Sequence, residues 1–265
     1  MTGVQTCALP IYVVFTSLPG PPEVEAVALG PNGLLAGMKP DTAYFDLSTN
    51  SPTLVRRINA AFAEKNLYML DSPVSGGPSG AASGKMAIWV GGDEQIFNRH
   101  KPALDAMGDQ AAYIGPIGAG TIAKLVHNCT SAVMGVALAE VFTMGIKAGV
   151  EPLELWEAVR QDATGRQRTF DRLGRFLSGK HDPADFALRL LHKDVGLAVG
   201  LGREVGVPMR LANMAFEELT EAMNRGWSTR NSTVGQLLQV ERSGIEPPAV
   251  DPDRVQAILD ADKPK

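Results

Sequence analysis

The sequence predicts an α/β domain built on a mostly parallel, doubly wound sheet, followed by an all-α domain. Three observations carry this. Over residues 12–115, short β-branched and aromatic runs alternate with helix-like segments punctuated by Pro and Gly. Beyond Gly118 no strand-like run returns. At the junction stands "GAGTIAKLVHNCTSAVMGVALAEVFTMGIKAG", whose only breakers are small residues. Its apolar positions recur at three and four, which predicts one long helix over about residues 119–148 joining the two halves.

The elements follow in order. "YVVFTSLPG" (12–20) is a strand stopped by Pro19-Gly20. "PPEVEAVALG" (21–30) is a helix with prolines at its start and Gly30 at its end. "TAYFDLST" (42–49) is a second strand, ending in Ser48-Thr49. Ser51 is expected to cap the helix of "SPTLVRRINAAFAEKN", with Pro52 at its first position. The strand "LYML" (67–70), a Gly-rich stretch, the strand "MAIWVGG" (86–92), a helix over 94–107 and the strand "AAYIG" (111–115) complete this half. In the second half, 152–162, 167–177, 187–205, 209–225 and 233–242 read as helices, and the Pro- and Asp-rich tail from Glu246 as loosely held. The expected organisation is a partial α/β domain over 12–118, an all-α domain over 119–245 and a tail over 246–265, with no internal repeat.

Composition sets the bounds on function. The 265 residues are 45% hydrophobic and 20% charged, ordinary for a globular protein. A net charge of −4 and a pI near 5.6 argue against a nucleic-acid partner. No apolar run has the length of a membrane span. Cys7 and Cys129 are the two cysteines, so there is no disulfide framework, and a cytoplasmic location is expected. The opening MTGVQTCALPI (1–11) lacks a signal peptide's basic start and apolar core. It reads as the translation of a common sequencing adapter, an artefact segment, with the gene continuing upstream of Tyr12. The other reading is a genuine short N-terminal strand.

Two motifs carry chemistry. "DSPVSGGPSGAASGKM" (71–86) is a Gly-rich turn after a strand, a type of turn that often cradles phosphate. Ser75 offers a hydroxyl, and Gly76 and Gly77 let backbone N–H groups converge on an anion with no Cβ in the way. The second, "GAGTIAKLVHN" (118–128), formally matches Gly-x-Gly-x-x-Gly/Ala, with Glu140 at the offset of a ribose-binding acid. It fails as a cofactor fingerprint because Glu140 falls in mid-helix, whereas that acid belongs at a strand end. The same segment sets Lys124 and Asn128 one turn apart on one helix face. A lysine there can serve as a general acid beside a neutral donor–acceptor, or the pair can be a surface lysine and a mid-helix asparagine.

Together with "HKDVGLAV" (192–199), these blocks occur in the order of three signature blocks of the β-hydroxyacid dehydrogenase family, which the chain resembles from Tyr12 to about Ile245. That family includes 3-hydroxyisobutyrate dehydrogenase and tartronate semialdehyde reductase. "VVFTSLPGPPEV" and "FDLSTNSP" also resemble the fourth and fifth strands of its nucleotide domain. The resemblance implies a Rossmann-like fold, NAD or NADP, and hydride transfer to or from a short 3-hydroxy acid or semialdehyde. It implies Lys124 as acid/base, Asn128 orienting the same oxygen, and Ser75-Gly76-Gly77 holding the substrate carboxylate. Leu18-Pro19 and Thr49 fall at cofactor-binding strand ends, and Lys193 corresponds to a lysine reaching towards the nicotinamide. The expected partner is a small carboxylate substrate, and a homo-oligomer is expected.

The chain departs from the family by omission. The dinucleotide fingerprint that opens the family's sheet is missing, so the sheet is expected to lack its first βαβ steps, roughly 60 residues. The choice between NAD and NADP is then not readable. Two alternatives stand: a non-catalytic scaffold of the same fold, and an imine reductase-like enzyme. In both classes the lysine position usually carries another residue, and Lys124 is kept here. No Gly-x-Ser-x-Gly elbow is present, and His100, His127, His181 and His192 lack metal-ligand spacing. Cys129 is expected in the core of the long helix, and Trp89, Trp156 and Trp227 are expected to serve packing.

Overall fold

The structure, a computed structural model, describes residues 12–166 and 169–261. The segment 1–11 read as an artefact, with Cys7, lies outside them, as do two residues of the helix expected over 167–177. The chain divides into two compact units, Met1–Ala132 and Val133–Lys265.

The first unit runs β1 (Val13–Thr16), α1 (Pro21–Leu29), α2 (Leu34–Gly37), β2 (Ala43–Asp46), α3 (Pro52–Ala63), β3 (Tyr68–Asp71), β4 (Val74–Ser75), α4 (Gly77–Ser83), β5 (Ala87–Gly91), α5 (Glu94–Asp105) and β6 (Gln110–Gly115). The long α6 (Ala119–Lys147) begins here and continues into the second unit. Successive side chains of a strand point to opposite faces, and both faces of this sheet are covered. Tyr44 and Met69 pack with Val24 of α1 and Val55, Ile58 and Phe62 of α3, while their neighbours Phe45 and Leu70 pack with Ile88, Val90 and Ile96, Phe97 and Leu104 of α5. Each such side chain stabilises the fold by about 1.5–3 kcal/mol. Runs buried on both faces are what a doubly wound sheet requires.

The strand order is β1-β2-β3-β5-β4, with β6 beside β5. β1, β2 and β3 are parallel, as are β5 and β6, but β5 runs antiparallel to β3 and β4. The sheet therefore reverses at the Gly-rich stretch. A parallel crossover needs a connection of a dozen or more residues with a helix long enough to carry the chain back along the strand. The seven residues of α4 rise only about 10 Å, shorter than a five-residue strand. The chain turns back instead.

Caps follow the sequence in part. Asp93 caps α5, accepting from the N–H of Gln95 at 2.8 Å and of Ile96 at 3.0 Å. Ser51 stands at the N-cap of α3, but its side chain makes no capping bond, and its own N–H donates to Asn50 Oδ1 at 2.7 Å.

The second unit continues with the rest of α6, then α7 (Pro152–Gln161), α8 (Ala163–Arg166), a 3-10 turn (Thr169–Leu173), α9 (Gly174–Ser178), α10 (Leu188–Glu204), α11 (Arg210–Asn224), a second 3-10 turn (Ser232–Gln236), α12 (Leu237–Ser243) and α13 (Pro252–Ala261). Its core joins Leu188, Leu219, Ala222, Val234 and Leu238. Two segments differ from expectation. The region read as one helix over 167–177 is a 3-10 turn followed by a five-residue helix. The tail carries α13, started by Asp251, whose side chain accepts the Asp253 N–H at 2.9 Å, with Pro252 at the first position. Its Val255 and Leu259 lie against Gly174 of α9. Among the described residues no helix is long and apolar enough to cross a membrane.

Candidate functional site

The site begins with how α6 meets the sheet. Asp71, at the end of β3 and buried, accepts the N–H of Gly118 at 2.7 Å and of Thr121 at 2.6 Å, one on each carboxylate oxygen. The carboxylate thus satisfies two of the free donors of a helix N-terminus and sits at its positive end. The fit depends on absent side chains. A Cβ on Gly91 would come within 2.5 Å of Asp71 Oδ1, and one on Gly120 within 2.7 Å of the Asp71 carbonyl oxygen and closer still to that of Trp89. This is also the structural argument against a pyrophosphate at Gly118-Ala119-Gly120: the N–H groups of Gly118 and Thr121 already meet a carboxylate, and that of Ala119 meets the Pro116 carbonyl at 2.9 Å. Glu140 is no ribose ligand either, since in the second unit it accepts the N–H of Leu211 at 3.0 Å and of Ala212 at 2.9 Å and caps α11.

Across β5 a single register holds. Asp71 faces Gly91, Val74 faces Ile88 and Ser75 faces Ala87, and the Trp89 N–H donates to the Pro73 carbonyl at 3.2 Å. Asp71, Pro73 and Ser75 therefore share one sheet face with Gly91, Trp89 and Ala87. That face receives α6. Lys124, buried at 9% exposure, holds its Nζ over the Trp89 ring, 5.8 Å from the centroid. Ser75 lies two residues along the same face from the Trp89 row, roughly 7 Å. The Ser-Gly-Gly turn and the lysine, 49 positions apart in the sequence, thus share one side of the sheet. Burial lowers the pKa of Lys124 from the ordinary lysine value, because it disfavours the charged form.

At the turn Ser75 is half-buried, while Gly76 and Gly77 are exposed with φ of +136° and +61°. No atom stands within 4 Å of where a Gly77 Cβ would be. Asn128 is exposed one turn beyond Lys124, with Oδ1 3.1 Å from His127 Nδ1. Cys129, expected in the core, is exposed: five residues on from buried Lys124, the 3.6-residue period puts it off the helix face that Lys124 shares with the sheet.

The ends of β1 and β2 are pinned together. The Leu18 N–H donates to Ser48 Oγ at 2.9 Å. Buried Asp46 accepts from the Ser48 N–H at 3.0 Å and from Asn50 Nδ2 at 2.8 Å. Burial raises the pKa of Asp46, partly offset by these bonds. The network leaves Pro19 and Thr49 exposed at the strand ends, where doubly wound sheets place a nucleotide. Asp71, Asp46 and Asn50 carry no expected role in the sequence, Ser48 is expected there only as a strand end and Trp89 only as packing. The spacing of a one-turn Lys–Asn pair held no hint of them, because their contacts join segments far apart in the chain.

Lys193 lies on α10 of the second unit, exposed, with Nζ 2.5 Å from Asp194 Oδ1. Among the described residues no group of three or more His, Cys, Asp or Glu side chains is placed to hold a metal.

Comparison with known proteins gives the family. A family model described as the NAD binding domain of 6-phosphogluconate dehydrogenase matches residues 2–115. A second, described as NAD-binding of NADP-dependent 3-hydroxyisobutyrate dehydrogenase, matches residues 118–238. The 2-(hydroxymethyl)glutarate dehydrogenase of Eubacterium barkeri is 35% identical over 81% of this chain and 73% of its own length. The chain belongs to the β-hydroxyacid dehydrogenase family. Among solved β-hydroxyacid dehydrogenases, the 3-hydroxyisobutyrate dehydrogenase of Mycobacterium tuberculosis, in a structure with L-serine, is 30% identical over 85% of this chain and 79% of that one, with a TM-score of 0.54. An imine reductase from Bacillus cereus superposes with a TM-score of 0.72 over 86% of this chain and 78% of that one, at 16% identity, a likeness of fold alone. As a β-hydroxyacid dehydrogenase, the protein is an oxidoreductase that transfers hydride with NAD or NADP.

Proposed function

We propose that the protein interconverts a short 3-hydroxy acid and its semialdehyde, with Lys124 as the general acid/base. The supporting observation is a buried lysine with no ion pair or hydrogen bond among the described residues, on the sheet face that also carries Ser75. An amine so placed is suited to proton exchange, because burial disfavours the ammonium and lowers its pKa. NAD or NADP, when bound, takes or supplies the hydride. Lys124 takes the hydroxyl proton during oxidation and returns it during reduction. Asn128 orients the same oxygen. Ser75 and the backbone N–H groups of Gly76 and Gly77 hold the carboxylate. Leu18, Pro19 and Thr49 contact the cofactor, and Lys193 supplies a cation for its nicotinamide end.

The substrates named for the two dehydrogenase relatives and the L-serine in one of their structures support the class. 2-(Hydroxymethyl)glutarate, 3-hydroxyisobutyrate and L-serine all contain a hydroxymethyl group on the carbon that bears a carboxylate. The exposed apolar side chains of α6, among them Val126, Val133 and Leu138, suit a homo-oligomer, since a helix apolar all round is ordinarily covered. The test is reduction of NAD and of NADP with these three compounds, followed by absorbance of the reduced nicotinamide. Turnover of at least one is expected. Turnover of a cyclic imine and of none of the three would overturn the reading in favour of imine reduction.

A further inference from the structure

Among the described residues Lys124 is the single buried lysine or arginine. A buried ammonium ordinarily needs a carboxylate or several acceptors, and Lys124 has neither. Asp71 of β3 has both carboxylate oxygens engaged by Gly118 and Thr121. Arg56 of α3 lies beside Gly118 and is itself a cation. Asp46 of β2, in register with Asp71, has its carboxylate engaged by Ser48 and Asn50. His127, on α6, has its ring centroid 5.4 Å from that of Trp89. What Lys124 does have is the face of the Trp89 indole, 5.8 Å from Nζ to centroid, within the range where a ring quadrupole attracts a cation.

We propose that Trp89 is a positioning residue for Lys124: its ring replaces the missing carboxylate and aims the amine along the face that carries Ser75. The inference rests on the reading of Lys124 as the acid/base, though the pairing itself is geometric. The backbone makes the arrangement rigid. Because Gly120 has no Cβ, α6 settles directly on the Trp89 carbonyl, and the lysine one turn further on is delivered above the indole. His127 packs on the same ring with Nδ1 3.1 Å from Asn128 Oδ1, so one indole lies under the lysine and under the neighbour of the asparagine. Burial drives Lys124 towards the neutral amine, while the electron-rich ring favours the ammonium. Trp89 therefore moderates the pH at which the lysine changes from acid to base.

The test compares Trp89→Leu, which keeps an apolar side chain and removes the quadrupole, with Trp89→Phe, which keeps a weaker one. In the oxidation direction kcat/KM rises as Lys124 becomes neutral. That limb is expected to move to lower pH by roughly half to one unit in Trp89→Leu and by less in Trp89→Phe. An active Trp89→Leu protein whose limb stays in place, or moves to higher pH, overturns the proposal. A second measurement needs no turnover. In protein carrying Trp156→Phe, Trp227→Phe and His127→Gln, the emission of Trp89 is expected to titrate in one alkaline step that disappears on adding Lys124→Met. Absence of the step, or its survival in Lys124→Met, equally overturns the pairing. If Lys124→Ala instead kept full turnover while the fluorescence step behaved as expected, the catalytic reading would fail and the pairing would stand.

Discussion

Two glycine-rich turns of the first unit, Ser75-Gly76-Gly77 and Gly118-Ala119-Gly120, look alike as sequence, each leading from a strand into a helix. In the structure they are opposites. The second is closed: the Asp71 carboxylate takes the N–H groups of Gly118 and of Thr121 just beyond it, and the space for a Gly120 side chain is filled by the carbonyls of Asp71 and Trp89. The first is open: Gly77 has a left-handed φ and empty space around its missing Cβ. One turn uses glycine to bring a helix down onto a sheet, the other to leave backbone free beside it. The formal phosphate fingerprint thus falls on the turn whose helix N-terminus already holds a carboxylate of the chain itself. The turn proposed for the substrate carboxylate matches no such pattern.

The largest expected effect lies where the closed turn delivers its lysine. Lys124→Ala is expected to lower kcat/KM by about 10²–10⁴-fold with an unchanged circular dichroism spectrum. Rates within twofold of the parent would detach the closed turn from catalysis. Next comes Gly120→Ala. The added methyl meets two backbone carbonyls that cannot swing away, so we expect a stability loss of about 3 kcal/mol, seen as a fall in Tm of roughly 6–12 °C. At the open turn, Ser75→Ala should raise KM for a carboxylate substrate by roughly tenfold to a hundredfold, the value of one hydrogen bond to a charged group, with Tm nearly unchanged. A mutant with weakened cofactor affinity and normal KM for the acid would assign the open turn to the nucleotide.

Much of the first unit was legible because local chemistry decides it. Residues such as Tyr44-Phe45 and Met69-Leu70 are apolar on both faces, and Pro21, Pro52 and Gly30 mark helix ends. What was not legible depends on lengths and on distant partners. The reversal of β5 follows from the shortness of α4. The cap of α6 comes from Asp71, 47 positions before Gly118, and Trp89, read as packing, matters through a lysine on another element. Ser51 had the residue type and position of a cap, but its N–H is engaged by Asn50 and its side chain makes no capping bond. Of the proposed site, Lys124 and Ser75 could be named from spacing and resemblance, whereas the shared face that relates them follows only from the β4–β5 register.

The cost of burying the lysine offers a finer comparison. Its folded pKa is lowered relative to the unfolded chain, so below the folded value the native state holds a charge it disfavours. Stability is then gained, not lost, as pH rises through the folded pKa towards the ordinary lysine value. Lys124→Met is expected to stabilise the protein near neutral pH by about 0.5–2 kcal/mol. The gain should shrink as the pH approaches the ordinary lysine value, a trend measurable by urea denaturation at several pH values. A gain independent of pH would mean that methionine simply packs better than lysine and that burial of the charge costs nothing.

The smallest expected effect is at the open turn, and it sharpens the contrast with Gly120. Gly77 has φ +61°, where an alanine costs about 1–2 kcal/mol in backbone strain. Against that, replacing glycine restricts the unfolded chain and returns about 0.4–1 kcal/mol. With no atom near the new methyl, there is no steric term, and the net loss from Gly77→Ala should be roughly 0.5–1 kcal/mol, a third or less of that for Gly120→Ala. Gly77→Asn, which tolerates the left-handed region better, should lose less again. If the backbone N–H groups of this turn do receive a carboxylate, either substitution should raise KM for the acid more than it lowers Tm. Equal stability losses at Gly77 and Gly120 would show that both glycines serve packing, and the distinction between an open and a closed turn would fall.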